Sequence, residues 1–280
     1  MTRAAASEGE PVQLIETAGL VACSFRTLPR FRLVRAGSIG EAVDALAAAE
    51  RPAVLAGGTD LPARFNEGFA PSVMVDVAAV PGLRAIDIVG GMLSIGAAVT
   101  HEAGSTHPLV RQHLPGFAAT WARIANVRIR MSATLGGNLM ARRTRYEGAI
   151  LLTALSARLR FATTDGETEI PAEDIWTAKL SSAALLTAIL IPLRAGLEFD
   201  YERSLRPIMT QAVARDATGR GRVVTATEHV VPQILELDAG SPPEAKFATR
   251  AFADPVTGDA YLRRASGIFL ARQLQRMGAA

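Results

Sequence analysis

The chain has 280 residues, 49% of them hydrophobic and 20% charged, with a formal net charge of +3. That length and balance allow two or three compact units with a substantial core. The small charge and 5% aromatic content argue against a nucleic-acid surface, which needs basic stripes interleaved with stacking rings. The single cysteine, Cys23, excludes an internal disulfide, an iron–sulfur cluster or a four-cysteine zinc site held by this chain, so metal chemistry is expected from another polypeptide.

Residues Met1 to Phe25 carry Glu8, Glu10 and Glu16 where a signal peptide needs a basic region and then an apolar one, so a cytoplasmic location is expected. The apolar stretches stop short of the roughly 20 residues that cross a bilayer, and no membrane span is expected. Residues 1–30 read as an extension laid over the surface or onto a partner. Ser38 to Glu41 form a capping box, and Ile39, Ala42, Val43 and Leu46 recur at helical spacing, which predicts a helix over 39–49. A strand over Pro52 to Ala56, a helical turn from Thr59 to about Gly68 and a strand over Val73 to Val77 make a crossover unit. These elements set residues 31–82 apart as a first α/β lobe.

A hairpin follows, from Leu83 to Val89 and Met92 to Ala97 around Gly90-Gly91. Helices are expected to open at Thr100 and Pro108 and to cover Pro115 to Ile124. Val127 to Met131 reads as a strand that delivers Gly136-Gly137 to a turn. A helix over Gly148 to Ser156 and strands over Arg158 to Thr163 and Leu185 to Pro192 complete a second lobe, 83–195. From Gly196 the pattern changes to polar strands, Leu197 to Arg206 and Arg222 to Thr227, with a loop around Ser241-Pro242-Pro243. A final helix is expected to turn Tyr261, Ile268, Phe269 and Leu274 inward and Arg263, Arg264, Arg272 and Arg276 outward. Residues 196–280 thus read as a smaller α+β domain.

Two glycine pairs carry the chemistry: Ala56-Gly57-Gly58-Thr59-Asp60-Leu61 and Thr134-Leu135-Gly136-Gly137-Asn138. A glycine pair beside a hydroxyl and an amide can turn backbone N–H groups toward one concavity, which suits a diphosphate. Neither pair is a Rossmann fingerprint, because Gly57-Gly58 lacks the third glycine, and no Walker lysine accompanies them. Either pair taken alone is more often a plain turn than a phosphate site.

These motifs, with Ile95-Gly96-Ala97-Ala98-Val99-Thr100 between them and Ile129-Arg130 before the second, resemble the FAD-binding subunit of the molybdenum hydroxylases. That family includes the medium subunits of carbon monoxide and xanthine dehydrogenases and of the nicotine and ketone dehydrogenases. The resemblance implies a mixed α+β and α/β protein, with the two-lobed FAD-binding fold of the molybdopterin-dehydrogenase (PCMH-type) kind and a small C-terminal α+β domain. It implies that Leu55, Ala56, Gly57, Gly58, Thr59, Asp60 and Leu61 share an FAD with Thr100, Thr134, Gly136, Gly137 and Asn138, mostly through backbone amides. Glu147 stands where relatives usually carry an aspartate that contacts the flavin. Ile189, Leu190 and Ile191 match a strand whose aliphatic side chains press on the isoalloxazine, and read without the family they are core residues. Arg203 and Arg206 echo basic residues after that strand.

The implied role is electron transfer from a [2Fe-2S] small subunit to an external acceptor, beside a large molybdopterin subunit, in a hetero-oligomer such as a dimer of heterotrimers. The alternative is an adaptor subunit that keeps the fold without productive flavin chemistry. Arg123, Arg128, Arg130, Arg142, Arg143 and Arg145 crowd one segment, which reads as a site for cofactor phosphates or a partner subunit, with a solvated face as the plain alternative. For Arg142, Arg143 and Arg145 two uses are open, neutralising FAD phosphates or docking the iron–sulfur partner, and docking is favoured because the backbone loops already serve the diphosphate. His101, His107, His113 and His229 show no ligand pattern with acidic partners, and no metal site or nucleophile elbow is expected.

Overall fold

The computed structural model describes residues 28–204, 208–239, 252 and 258–278. Cys23, nearly all of the expected N-terminal extension, Arg206 and the Ser241 to Pro243 loop lie outside them. Three sheets stand in chain order. The first is parallel, β1 (Arg32–Arg35), β3 (Val73–Asp76) and β2 (Pro52–Leu55), with β3 central. Helix α1 (Ile39–Ala47) covers it. Ser38 Oγ accepts from Glu41 N at 3.1 Å, and the Glu41 carboxylate accepts from Gly37 N at 2.8 Å. Ala42, Val43 and Leu46 of α1 pack on Val73 and Val75 and also on Ala162 and Leu185 of the second sheet. One apolar cluster therefore joins the first two sheets. Helix α2 (Leu61–Asn66) starts directly after the first glycine loop.

The second sheet is antiparallel, ordered β4 (Ile86–Val89), β5 (Met92–Gly96), β8 (Leu185–Pro192), β6 (Arg158–Thr163), β7 (Gly166–Pro171). Six short helices lie between β5 and β6: α3 (His101–Thr106), α4 (Pro108–His113), α5 (Pro115–Trp121), α6 (Val127–Ser132), α7 (Leu135–Met140) and α8 (Glu147–Ala154). The strand expected over Val127 to Met131 is helix α6. Asn126 Oδ1 accepts from Ile129 N at 3.1 Å as its cap. Val127 and Met131 are 68% and 61% exposed, while Arg130 between them is buried. Of the β-branched residues that suggested a strand, Val127 lies on the outer face of the helix and Ile129 is half-buried, and the helix is anchored by its arginine. Gly136-Gly137 accordingly sits in the first turn of α7, where Thr134 Oγ1 accepts from Gly137 N at 3.0 Å.

The third sheet is an antiparallel meander of β9 (Glu198–Arg203), β10 (Met209–Arg215), β11 (Gly221–Thr227) and β12 (Gln233–Leu237). Phe199, Ala212 and Val224 of this sheet share the main core with Leu93, Ile95, Phe117, Trp121 and Ile189. Helix α9 (Asp259–Gly278) packs on its other side through Leu262, Ser266, Phe269, Leu270, Gln273 and Met277. The expected apolar face is thus corrected: Tyr261 is 51% and Ile268 43% exposed. Gln273 and Ser266 bond to buried Gln211, which also accepts from Thr225. Two polar residues hold inward positions that a hydrophobic pattern cannot show.

Candidate functional site

The two glycine loops meet at a seam between the first sheet and the helices that connect β5 to β6. A side chain built on Gly57 would place its Cβ 2.1 Å from the Ser132 carbonyl oxygen and 2.9 Å from Ala133 Cα. Glycine here serves the approach of one backbone to another, and Gly58, at φ +67°, then turns the chain into α2. Beside the seam opens a cavity of about 670 Å³, a size typical of cofactor sites. It runs from Pro52 and Val54 past both glycine loops to Leu186 and Arg203.

The loops divide the work unequally. Among the described residues no acceptor meets the backbone N–H groups of Ala56, Gly57, Gly58, Thr59, Asp60 or Leu61. Ala56 to Asp60 are half-buried and Leu61 is buried along a cavity wall, so their amides are available to an acceptor from outside the chain. The second loop's amides are already engaged: Leu135 N on Val99 O, Gly136 N on Ala97 O, Gly137 N on Thr134 Oγ1 and Asn138 N on Thr134 O. This loop contributes side chains and open space instead. A Cβ on Gly137 would meet only Thr134 Oγ1, at 3.0 Å. Asn138 Oδ1 accepts from Gly148 N at 3.1 Å, which leaves its NH₂ as the group still able to donate.

Asp60 is the hinge of a polar cluster at the cavity wall. Its Oδ1 accepts from Arg143 Nε at 2.8 Å and from Tyr146 OH at 2.7 Å, and the same guanidinium pairs with Glu67 at 3.0 Å. The hydrogen bond to Glu67, ahead of the opposing cost of burial, raises Arg143 above its ordinary value. Burial first, then the bond to Asp60, pushes Tyr146 up to about 12. Both therefore remain donors at neutral pH. Arg145 pairs with Glu228 at 3.7 Å. Arg143 is thus paired inside this chain with Asp60 and Glu67, bonds that its expected use as a docking group did not foresee.

Arg130, expected on a phosphate, a partner or a solvated face, does none of these. Its guanidinium donates to Trp121 O at 2.7 Å, Ile124 O at 3.1 Å, Ser105 Oγ at 2.8 Å and the Glu102 carboxylate at 2.9 Å. It ties α3, α5 and α6 together behind the second glycine loop. Next to it, Trp121 Nε1 donates to His101 Nδ1 at 2.7 Å, and burial, aided by the Arg130 charge, lowers His101 to about 4.

The cavity brings together Ala56, Gly57, Gly58, Thr59, Asp60, Leu61, Thr134, Gly136, Gly137, Asn138 and Glu147. Glu147 is held by Arg203 at 3.3 Å, and Arg203 lines the cavity as well. Leu55 packs instead with Ala53, Leu61 and Met74 beside the first sheet. Ile189 is fully buried in the main core, and neither it nor Leu190 reaches the cavity, whose wall takes Leu185 and Leu186 from the same strand. The strand was identified correctly in sequence, but its period of two leaves register open. Thr100 lies at a second hollow of about 230 Å³ behind the seam, bridged to Thr134. His101, Tyr146 and Ala125, the last at φ +59°, line the main cavity without a motif to announce them.

Among the described residues no group of His, Cys, Asp and Glu could hold a metal ion, and no helix is long and apolar enough to cross a membrane. Residues 29–194 match the family described as the FAD binding domain in molybdopterin dehydrogenase. The chain is 33% identical over 172 residues to the nicotine 6-hydroxylase medium subunit of Paenarthrobacter nicotinovorans, covering 60% of this chain and 61% of that protein. It is 27% identical over 209 residues to the carbon monoxide dehydrogenase medium chain of Hydrogenophaga pseudoflava, covering 72% and 73%. A chain of the crystal structure of Cu,Mo-CO dehydrogenase in its cyanide-inactivated form superimposes with a TM-score of 0.78 at 25% identity, over 90% of this chain and 99% of that one. The match thus spans less than two thirds of the nicotine 6-hydroxylase medium subunit. The chain belongs to the family of FAD-binding domains of molybdopterin dehydrogenases.

Proposed function

We propose that the chain holds one non-covalent FAD in the cavity between its first two lobes and serves as the flavoprotein subunit of a heteromeric molybdenum-containing dehydrogenase. In this reading it takes electrons from a [2Fe-2S] subunit and passes them to an external acceptor, while a molybdopterin subunit oxidises the substrate. The observation that carries the reading is the row of unpartnered amides from Ala56 to Leu61 along the cavity. Such donors fit a diphosphate, and the space at Gly137 leaves room for it against the second loop.

The other lining residues have matching parts. Asn138 and Thr134 add side-chain donors for hydroxyls or phosphate oxygens. Leu180, Leu185 and Leu186 offer an apolar wall to a flat ring and exclude water from it, with Glu147 and Arg203 as the nearby ionised pair. FAD, when bound, accepts electrons singly and can release them as a pair, and the chain supplies position and electrostatics. No residue here is needed as a general acid or base toward the complex's substrate.

The test is to purify the chain with whatever copurifies and to denature it with acid. Release of about one intact FAD per chain, with iron–sulfur and molybdopterin polypeptides in the preparation, is the expected result. Carefully handled protein without flavin would favour the adaptor reading, and flavin retained on the denatured chain would remove the non-covalent claim.

A further inference from the structure

We propose that His101 is a hydrogen-bond donor to the bound dinucleotide, its Nε2–H turned to the cavity by the bond that Trp121 makes to the other ring nitrogen. The proposal rests on the reading of the cavity as an FAD site. An indole N–H can only donate. With Trp121 Nε1 at 2.7 Å, His101 Nδ1 is therefore the lone-pair nitrogen, and the proton of the neutral ring belongs to Nε2. Trp121 is fully buried and stands edge-on to the imidazole at 87°. A flipped ring would set a C–H against the indole N–H, so the packing fixes orientation and tautomer together.

Nε2 has no partner among the described residues and is not one of the unpartnered polar atoms sealed in the interior. His101 keeps 1% of its surface accessible, and it lines the main cavity. Its charge is suppressed by burial and by Arg130, which donates to its carbonyl oxygen at 3.4 Å and is itself paired with Glu102. His101 is thus a dipolar donor at neutral pH and not a counter-ion.

Position supplies the reason for a donor here. His101 N bonds to Ala133 O at 2.9 Å, and Thr100 bridges Thr134, so the imidazole hangs from the turn that begins the second glycine loop. The amides of Leu135 to Asn138 are engaged within the chain. This wall is poor in backbone donors, and His101 supplies one toward an oxygen of the diphosphate or the adjoining ribityl chain.

The experiment uses the full chain with ¹⁵N-labelled histidine, stripped of flavin and titrated with FAD, ADP and FMN. The wild-type His101 ring is expected to show the Nε2–H tautomer, no titration between pH 8 and 5, and a shifted Nε2–H signal on saturation with FAD. A shift with ADP would place the acceptor on the adenosine diphosphate half, and one with FMN on the ribityl half. His101→Phe, which keeps an aromatic ring but has no N–H to donate, should weaken FAD binding about tenfold, whereas His101→Gln, whose amide nitrogen can take the place of Nε2, should hold it within about threefold. Melting of the flavin-free variants checks that both fold. An Nδ1–H tautomer, or an Nε2–H signal unmoved by saturating FAD, overturns the proposal whether or not the variants fold. Wild-type protein that binds no FAD would remove the reading of the cavity itself, and the proposal with it.

Discussion

Gly57 and Gly137 are alike in sequence and opposite in duty. At Gly57 any side chain runs into the Ser132 carbonyl, so Gly57→Val is expected to force the two lobes apart and lower stability by about 1–3 kcal/mol. At Gly137 the added atoms would enter the cavity, with only Thr134 Oγ1 in contact range. Gly137→Val should keep the circular dichroism spectrum and melting temperature near those of the wild type while losing bound flavin. Full flavin retention in that variant would exclude the second loop from the site. His101 adds a pH signature. Its imidazole titrates near 6.5 when unfolded and near 4 when folded, so the unfolded chain binds more protons between these values. This contribution to stability is complete above pH 6.5 and is lost as the pH falls toward 4. Urea unfolding of wild type and His101→Gln across that window checks it. The difference between the two should shrink steadily on acidification, and a constant difference would show that the histidine does not titrate as its surroundings dictate.

At the scale of elements, α6 is held by one side chain. Arg130 satisfies the carbonyl ends of α5 and the following loop, a serine hydroxyl and a carboxylate from one buried fork. Arg130→Met would leave several of these acceptors unmet in the interior, and a loss of about 3 kcal/mol or more is expected from urea unfolding. Arg130→Lys should recover little, because a single ammonium cannot span acceptors that a planar fork reaches. Equal stability of the lysine variant and the wild type would contradict this account. Helix α9 follows a related logic. Its register on the third sheet is set by Gln273 and Ser266 meeting Gln211, so polar groups choose which face turns inward and leave Tyr261 and Ile268 outside.

Across the whole molecule, the cavity exists because the first sheet and the second are held at a fixed distance. Apolar packing of α1 onto β6 and β8 does much of this, and the Asp60, Arg143, Tyr146 and Glu67 cluster closes the wall from the other side. Arg143 is 24% exposed and its partner Asp60 18%, so the pair is partly shielded from salt. Arg143→Gln is expected to speed FAD release several-fold with little change in melting temperature, measured by trapping released flavin on an excess of a competing apoflavoprotein. An unchanged release rate would show that the apolar cluster alone sets the gap.

The sequence by itself determined the local events. The capping box at Ser38, the hairpin at Gly90-Gly91, the apolar strand of Leu185 to Pro192 and both glycine loops are written in neighbouring residues, and their order carries the family. Tertiary structure decided whatever depends on partners distant in the chain. Val127 to Met131 is a helix because Arg130 finds acceptors on α3 and α5, and a strand-like composition cannot register them. Leu185 and Leu186 reach the cavity in place of Ile189 and Leu190 because the register of β8 on β5 and β6 sets which stretch of the strand borders it. His101 and Trp121 lie 20 residues apart, and Asp60 and Arg143 lie 83 apart. No local pattern joins such pairs, because the bond between them exists only once segments distant in the chain have packed.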